Sequence, residues 1–304
     1  TTGDPVRHSP RPGHVFSFCA ALLLVLGMGI AAATVEIVVK DFSDREVRLA
    51  APANRIVALS PHIAENVFSA GAGDKLVGTV SYSDYPEQAK NIPRVGNFQS
   101  WSLEALVALQ PDLVLLWGSG NGMDTLATLE RLGIPVFVSE PRRLADIPYT
   151  IRAIGKLAGT QATSETEAQR IELALAAIQR QYRRQQPVSV FYQIWNEPLQ
   201  TVNGQHLISQ LMNLCGGVNA FADATTLAPK INIESVLARD PDAIVASGMD
   251  TARPEWLDDW RAYDSLQAVR NDALFFVPPD HVQRPTARVL LGANELCRQL
   301  ATLP

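Results

Sequence analysis

Apolar residues in this chain fall into short continuous runs that alternate with longer stripes at helical spacing. That alternation predicts buried parallel strands joined by amphipathic helices. Residues 35–40 and 45–49 flank Phe42-Ser43-Asp44 and predict a short hairpin. Residues 55–59 predict a strand, Ser60-Pro61 opens a helix to Ala70, and Gly71-Ala72-Gly73 stops it. A strand follows at 76–80, then a helix and strand across 103–115, a helix near 124–132 and a strand at 135–138. The expected result is a doubly wound lobe ending near Thr160. Ser164-Glu165-Thr166-Glu167 has the spacing of a capping box and predicts the start of a helix. Ile171, Leu175, Ile178 and Tyr182 give that helix one apolar stripe to about Arg184, a rod of about 30 Å. Pro187 ends it, and the β/α pattern resumes with a strand at 188–194. The expected fold is α/β, with lobes at 34–160 and 187–304 joined by one long helix at 161–186. A single stiff connection predicts limited hinge motion.

The two lobes share an internal repeat. The fourteen residues from Ser102 to Leu115 align without a gap on those from Asn232 to Val245, with four identities and mostly apolar exchanges elsewhere. Each copy reads as an N-cap (Ser102, Asn232), a short helix, a Pro-Asp break and a buried strand. Each also places a glutamate, Glu104 or Glu234, in the first helical turn, where the backbone dipole favours negative charge. A helix-dipole role accounts for either residue alone. A pair at equivalent places also suits a protein that docks on a two-fold partner or closes two lobes over a ligand.

Composition and the N-terminal segment narrow the class. The 304 residues are 47% hydrophobic with a net charge of −5, which supports sizeable cores and argues against nucleic acid as the main partner. Arg7 and Arg11 precede an apolar run from Val15 to Ala33 that ends in Ala31-Ala32-Ala33. This reads as a secretory signal cleaved before Thr34, with an uncleaved anchor as the alternative. Cys19 lies too early to mark a lipoprotein. An exported, soluble, acidic protein is expected. Cys215 and Cys297 then remain as a pair in an oxidising space, available for a disulfide or as two buried thiols.

Catalytic signatures are missing from the sequence: it has no Gly-x-Ser-x-Gly, His-Glu-x-x-His or Cys-x-x-Cys. The Gly71-x-Gly73 cluster ends a helix, and Leu76 stands where a dinucleotide fingerprint needs its third glycine. His62, His206, His281 and Asp280 have the chemistry for zinc and would serve only if they converged on one point. Trp256 and Trp260, at i, i+4 spacing, read as packing.

Several motifs together carry a resemblance. Ser81-Tyr82-Ser83-Asp84-Tyr85-Pro86, Leu103-Glu104 with Pro111-Asp112, Trp117-x3-Asn121, Cys215-Gly216-Gly217-x-Asn219 and Leu296-Cys297 resemble the periplasmic cobalamin-binding proteins of ABC importers. The similarity spans roughly residues 54–302. The wider group, which includes siderophore and haem receptors, shares a fold of two lobes on a helical backbone. The resemblance implies a non-catalytic monomer that binds a corrinoid between its lobes and needs no cofactor or metal of its own. It implies an inner-membrane permease dimer with ATPase subunits as partner. Glu104 and Glu234 match the glutamates that engage arginines on the two permease subunits. Tyr82 and Trp117 match aromatics lining the cleft, and Asp280 and Arg284 match polar residues at its second-lobe side. A siderophore or haem ligand is the alternative.

The chain also departs from that pattern. Phe98, Ala228 and His281 stand where the best-known cobalamin binder has tryptophans, so ligand identity is in question more than the transport role. Phe98 keeps an aromatic ring at the cleft, and Trp101 is placed to refill part of the cage. His62, just after Ser60-Pro61, is expected at a helix start beside the cleft, within reach of the ligand's metal.

Overall fold

The computed structural model describes residues 1–8, 36–248 and 252–304. Most of the proposed signal segment, residues 9–35, lies outside the described part. Residues 1–8 are exposed and without regular structure, and residues 35–304 form a separate unit. That unit opens with the antiparallel hairpin β1 (Ile37–Lys40) and β2 (Glu46–Leu49). The buried Asp41 carboxylate organises its turn by accepting the backbone N–H groups of Ser43 and Arg45.

The first lobe alternates β3 (Ile56–Ala58), α1 (Pro61–Ser69), β4 (Leu76–Gly78), α2 (Leu103–Ala108), β5 (Leu113–Trp117), α3 (Met123–Arg131), β6 (Val136–Ser139) and α4 (Asp146–Ala158). Its strands are all parallel, in the order β4-β3-β5-β6. β3 and β6 are buried along their whole length, as strands covered by helices on both faces must be.

α5 (Gln161–Gln181) carries the chain to the second lobe. At 1.5 Å per residue it measures about 31 Å. The capping-box expectation is wrong. The helix is capped four residues earlier, at Thr160, which follows Gly159, whose left-handed φ of +73° ends α4. Ser164 is therefore inside the first turn, buried against Gly155, with its hydroxyl donating to the Gln161 carbonyl. Glu167 pairs with Arg170 instead of returning to a cap. The tight α4–α5 turn overrode the local cap signal.

The second lobe comprises β7 (Val188–Gln193), α6 (Leu207–Leu214), β8 (Gly217–Asn219), α7 (Ile233–Arg239), β9 (Ala243–Ala246), β10 (Leu274–Phe276) and α8 (Val289–Leu300). Its parallel sheet has the order β8-β7-β9-β10, the same winding as the first. The repeat read in the sequence is thus a repeat of whole sheets. Ser102 and Asn232 both cap as expected, their side chains accepting the N–H of Ala105 and Ser235.

One apolar core includes Leu115 and Phe137 of the first sheet, Ile151 of α4, Ile171 of α5 and Val190 and Tyr192 of the second sheet. Separate clusters fill the outer face of each sheet. Trp260 packs in the outer cluster of the second sheet, edge-on to Phe191, as its spacing implied. Among the described residues, no helix is long and apolar enough to cross a membrane.

Candidate functional site

Parallel sheets expose loop residues at the carboxyl ends of their strands, and ligands bind there. The β3 end delivers Ser60, Pro61 and His62, and the β5 end delivers Trp117. From the second lobe, the segment after β10 delivers Asp280 and Arg284. These ends face one another across a cleft of about 420 Å³. The six sequence-selected residues His62, Tyr82, Phe98, Trp117, Asp280 and Arg284 all line it. A smaller pocket of about 170 Å³ shares His62 and Trp117 with it and adds polar groups, among them Glu140 and His206.

The Ser-Tyr-Ser run is built to push Tyr82 outward. Ser81 is held by its backbone N–H and hydroxyl to the Gly96 carbonyl, and the buried Ser83 hydroxyl bonds that of Thr79. Tyr82 between them has a φ of +66° and is 73% exposed. Bulky residues rarely adopt left-handed backbone, and such strain concentrates at ligand sites.

Phe98 sits on a turn closed by the Asn97 side chain, which accepts the N–H groups of Gln99 and Ser100. Its ring lies 5.7 Å from that of Trp117. One side chain that sequence reasoning passed over holds both. The Asn121 amide accepts the Trp117 N–H at 2.7 Å and donates to the carbonyls of Phe98 and Leu59 at 2.6 and 2.9 Å. Asn121 stood in the Trp117-x3-Asn121 motif, but no local pattern showed that it reaches β3 and the Phe98 turn. Asn121→Ala is expected to destabilise the protein by about 2–3 kcal/mol, because three backbone groups lose their partner. It should also shift the Trp117 fluorescence. Urea unfolding and emission spectra check both, and Asn121→Asp should recover part, since it keeps the acceptor.

His62 lies at the floor beside this wall. Its ring meets Trp117 edge-on at 5.2 Å, and its Nδ1 shares a 2.7 Å hydrogen bond with the Ser60 hydroxyl. Burial, helped by the positive Arg284, lowers its pKa to about 3, so the imidazole is neutral. Its Nε2 is buried without a hydrogen-bond partner among the described residues. Trp101 does not line the cleft. It packs under the first lobe's outer core and bridges to Gly96, which corrects the expectation that it refills the cage.

The second-lobe rim is an ion network that crosses between lobes. Glu65 of α1, only 2% exposed, accepts from Arg284 at 2.8 Å and from the Arg288 Nε at 2.9 Å. Asp280 binds Arg284 at 2.9 Å and Arg288 at 3.3 Å. The Tyr85 ring covers the Arg288 guanidinium at 4.4 Å. Arg284 is therefore held through Nε and Nη1, and its Nη2 has no hydrogen-bond partner among the described residues. The sequence reading missed Glu65 and Arg288, although Asp280-x3-Arg284-x3-Arg288 repeats at one helical face spacing.

The remaining candidates are placed as follows. Glu104 and Glu234 are exposed and form no ion pair among the described residues. Cys215 and Cys297 form a disulfide with Cα atoms 4.6 Å apart, joining the end of α6 to α8. His62 and His206 both line the smaller pocket and His281 does not. Among the described residues, no three His, Cys, Asp or Glu side chains are grouped to hold a metal.

Residues 56–281 match the model of a family described as periplasmic binding protein. A vitamin B12-binding protein of Vibrio cholerae is 36% identical over 250 residues, covering 82% of this chain and 90% of that protein. One of Vibrio campbellii is 34% identical over 252 residues, covering 83% and 91%. Among solved structures, the periplasmic vitamin B12-binding protein BtuF of Vibrio cholerae matches with a TM-score of 0.75 at 35% identity, over 82% of this chain and 97% of that one. The periplasmic heme-binding protein RhuT of Roseiflexus matches with a TM-score of 0.71 at 22% identity, over 83% and 100%, and shares the fold alone.

Proposed function

The chain belongs to the periplasmic binding protein family, and from that membership we propose that its cleft captures cobalamin or a related corrinoid for an ABC importer. It is a periplasmic substrate-binding subunit and not an enzyme. The observation that carries the corrinoid reading is the convergence of Tyr82, Phe98 and Trp117 on one face of a cleft with Asp280 and Arg284 on the other. Flat aromatic faces suit a flat macrocycle, and a rim with one free guanidinium nitrogen suits the amide and phosphate groups at its edge. The vitamin B12-binding relatives at 34–36% identity support the same ligand. His62 floors both parts of the cleft and belongs to the proposed binding set.

Transport then needs no bond in the ligand to change. The lobes, taken as 34–160 and 187–304 about the helix at 161–186, close modestly over the corrinoid. The monomer docks on the permease dimer, which carries its ATPase subunits, through Glu104 and Glu234, and releases the ligand as the permease changes shape. Two exposed carboxylates at equivalent places, with no ion pair among the described residues, support that docking role, since separated charges fix register on a two-fold partner.

Calorimetric titration of residues 34–304 with cyanocobalamin, cobinamide, haemin and a ferric siderophore tests the ligand. Binding confined to the corrinoids is expected, and Trp117→Ala should weaken it by about 2 kcal/mol, roughly thirtyfold. Binding to an iron complex alone would remove the corrinoid assignment and leave the transport role standing.

A further inference from the structure

The two glutamate-bearing helices are presented to solvent in the same way, residue for residue. From Trp101 to Leu106 and from Ile231 to Val236, the run of half-buried, exposed and buried positions is identical. Leu106 and Val236 plug each helix into its lobe, and Ser102 and Asn232 cap the first turn. The residue just ahead of each glutamate is apolar and exposed: Leu103 at 37% and Ile233 at 39%. On α2, Val107 extends the patch at 44%. A single exposed leucine needs no explanation. A large aliphatic side chain kept at the same exposed position in both halves, each beside an uncommitted carboxylate, is a different matter. A helix that leads into a parallel strand starts at the carboxyl edge of its sheet, so both patches stand at the edge where the cleft opens.

We propose that Leu103 and Ile233 are the apolar anchors of the docking surface. Each seats in an apolar depression beside a basic residue on one subunit of a two-fold membrane partner. This inference rests on the docking role proposed for Glu104 and Glu234 and divides the labour within it. Exposed charges act on encounter rate and register, whereas desolvated apolar contacts act on lifetime. The glutamates therefore recruit and orient the partner, and the aliphatic pair holds it. The caps support both roles by fixing the first turn, so that neighbouring side chains leave the helix in a set direction.

The test is the association kinetics of the ligand-loaded protein with the permease of its own importer held in lipid nanodiscs, measured over a range of salt concentrations. Leu103→Ser with Ile233→Ser is expected to raise the dissociation rate about tenfold or more, with the association rate and its salt dependence unchanged. Glu104→Ala with Glu234→Ala should lower the association rate and flatten its salt dependence. Leu103→Met with Ile233→Met should keep the wild-type dissociation rate. Corrinoid affinity should be unchanged in all three, since the substituted side chains are outside the cleft, and the thermal midpoint should fall by only a few degrees, from the lost helix-dipole and part-buried aliphatic contributions. A wild-type dissociation rate in the serine variant beside an impaired glutamate variant overturns the anchors alone. Wild-type kinetics in both overturn the docking surface as a whole.

Discussion

Glu65→Ala is expected to lower the stability of the protein by about 3–5 kcal/mol, because it strands two arginines that the fold has taken out of water. Arg288 is itself buried, and both its Nε and its Nη2 point at the Glu65 carboxylate. Asp280 remains as a partner for Arg284 and Arg288, so the loss should fall short of full unfolding. The network is not a net source of stability in the usual sense. Desolvating its charges costs about as much as their attraction returns, and apolar replacements often do as well. Its consequence is geometric. Glu65 and Asn66 lie on α1 of the first lobe, and their partners Arg284, Arg288 and the Pro285 carbonyl lie in the second. Glu65→Leu with Arg288→Met should accordingly recover much of the stability while leaving the lobe spacing less defined, so corrinoid affinity should fall below wild type in both variants. Denaturant midpoints and titrations of the two variants separate these effects. A Glu65→Ala midpoint equal to wild type would show that water relieves the site and that the network has no such role.

The residues that sequence reasoning found and those it missed differ in how far their partners lie along the chain. Buried parallel strands announce themselves as continuous apolar runs, so β3, β5, β6, β7 and β9 were legible within a residue or two at each end. The repeated helices were legible because the cap, glutamate and Pro-Asp break recur at one spacing. Ser164 was misread because a capping box is a local pattern, and the α4–α5 turn that places Ser164 inside a helix is set by Gly159 and by close packing on Gly155. His62, Tyr82, Phe98, Trp117, Asp280 and Arg284 were selected partly from motif resemblance, and the fold brings them to one cleft. Glu65 was invisible since its partners stand 219 and 223 residues away. Asn121 was named in a motif, yet its bond to Leu59 spans 62 residues, and no periodicity encodes it.

Removing the Cys215–Cys297 bond is the second change with a large expected effect. The two cysteines are 82 residues apart, and closing a loop of that length removes about 4.5 kcal/mol of unfolded-state entropy in the chain-entropy model. Both residues are buried, so replacement by a pair of alanines adds a small cavity but no unsatisfied hydroxyl, as serine would. The thermal midpoint of Cys215→Ala with Cys297→Ala is expected to fall by about 10–15 °C at the usual 2–4 °C per kcal/mol for a chain of this size. The location of the loss is as informative as its size. The closed loop contains β8, α7, β9 and β10 of the second lobe, whereas Tyr82, Phe98 and Trp117 stand on the first. Amide exchange should therefore quicken first in β8, β9 and β10, with β3 and β5 still protected. Bound corrinoid should raise the midpoint of the variant less than that of the wild type, because the aromatic wall is intact in both but Asp280 and Arg284 of the cleft lie inside the opened loop. Equal loss of protection across both sheets would instead mean that the continuous core through α4 and α5 makes the lobes unfold as one unit, with the disulfide stabilising the whole.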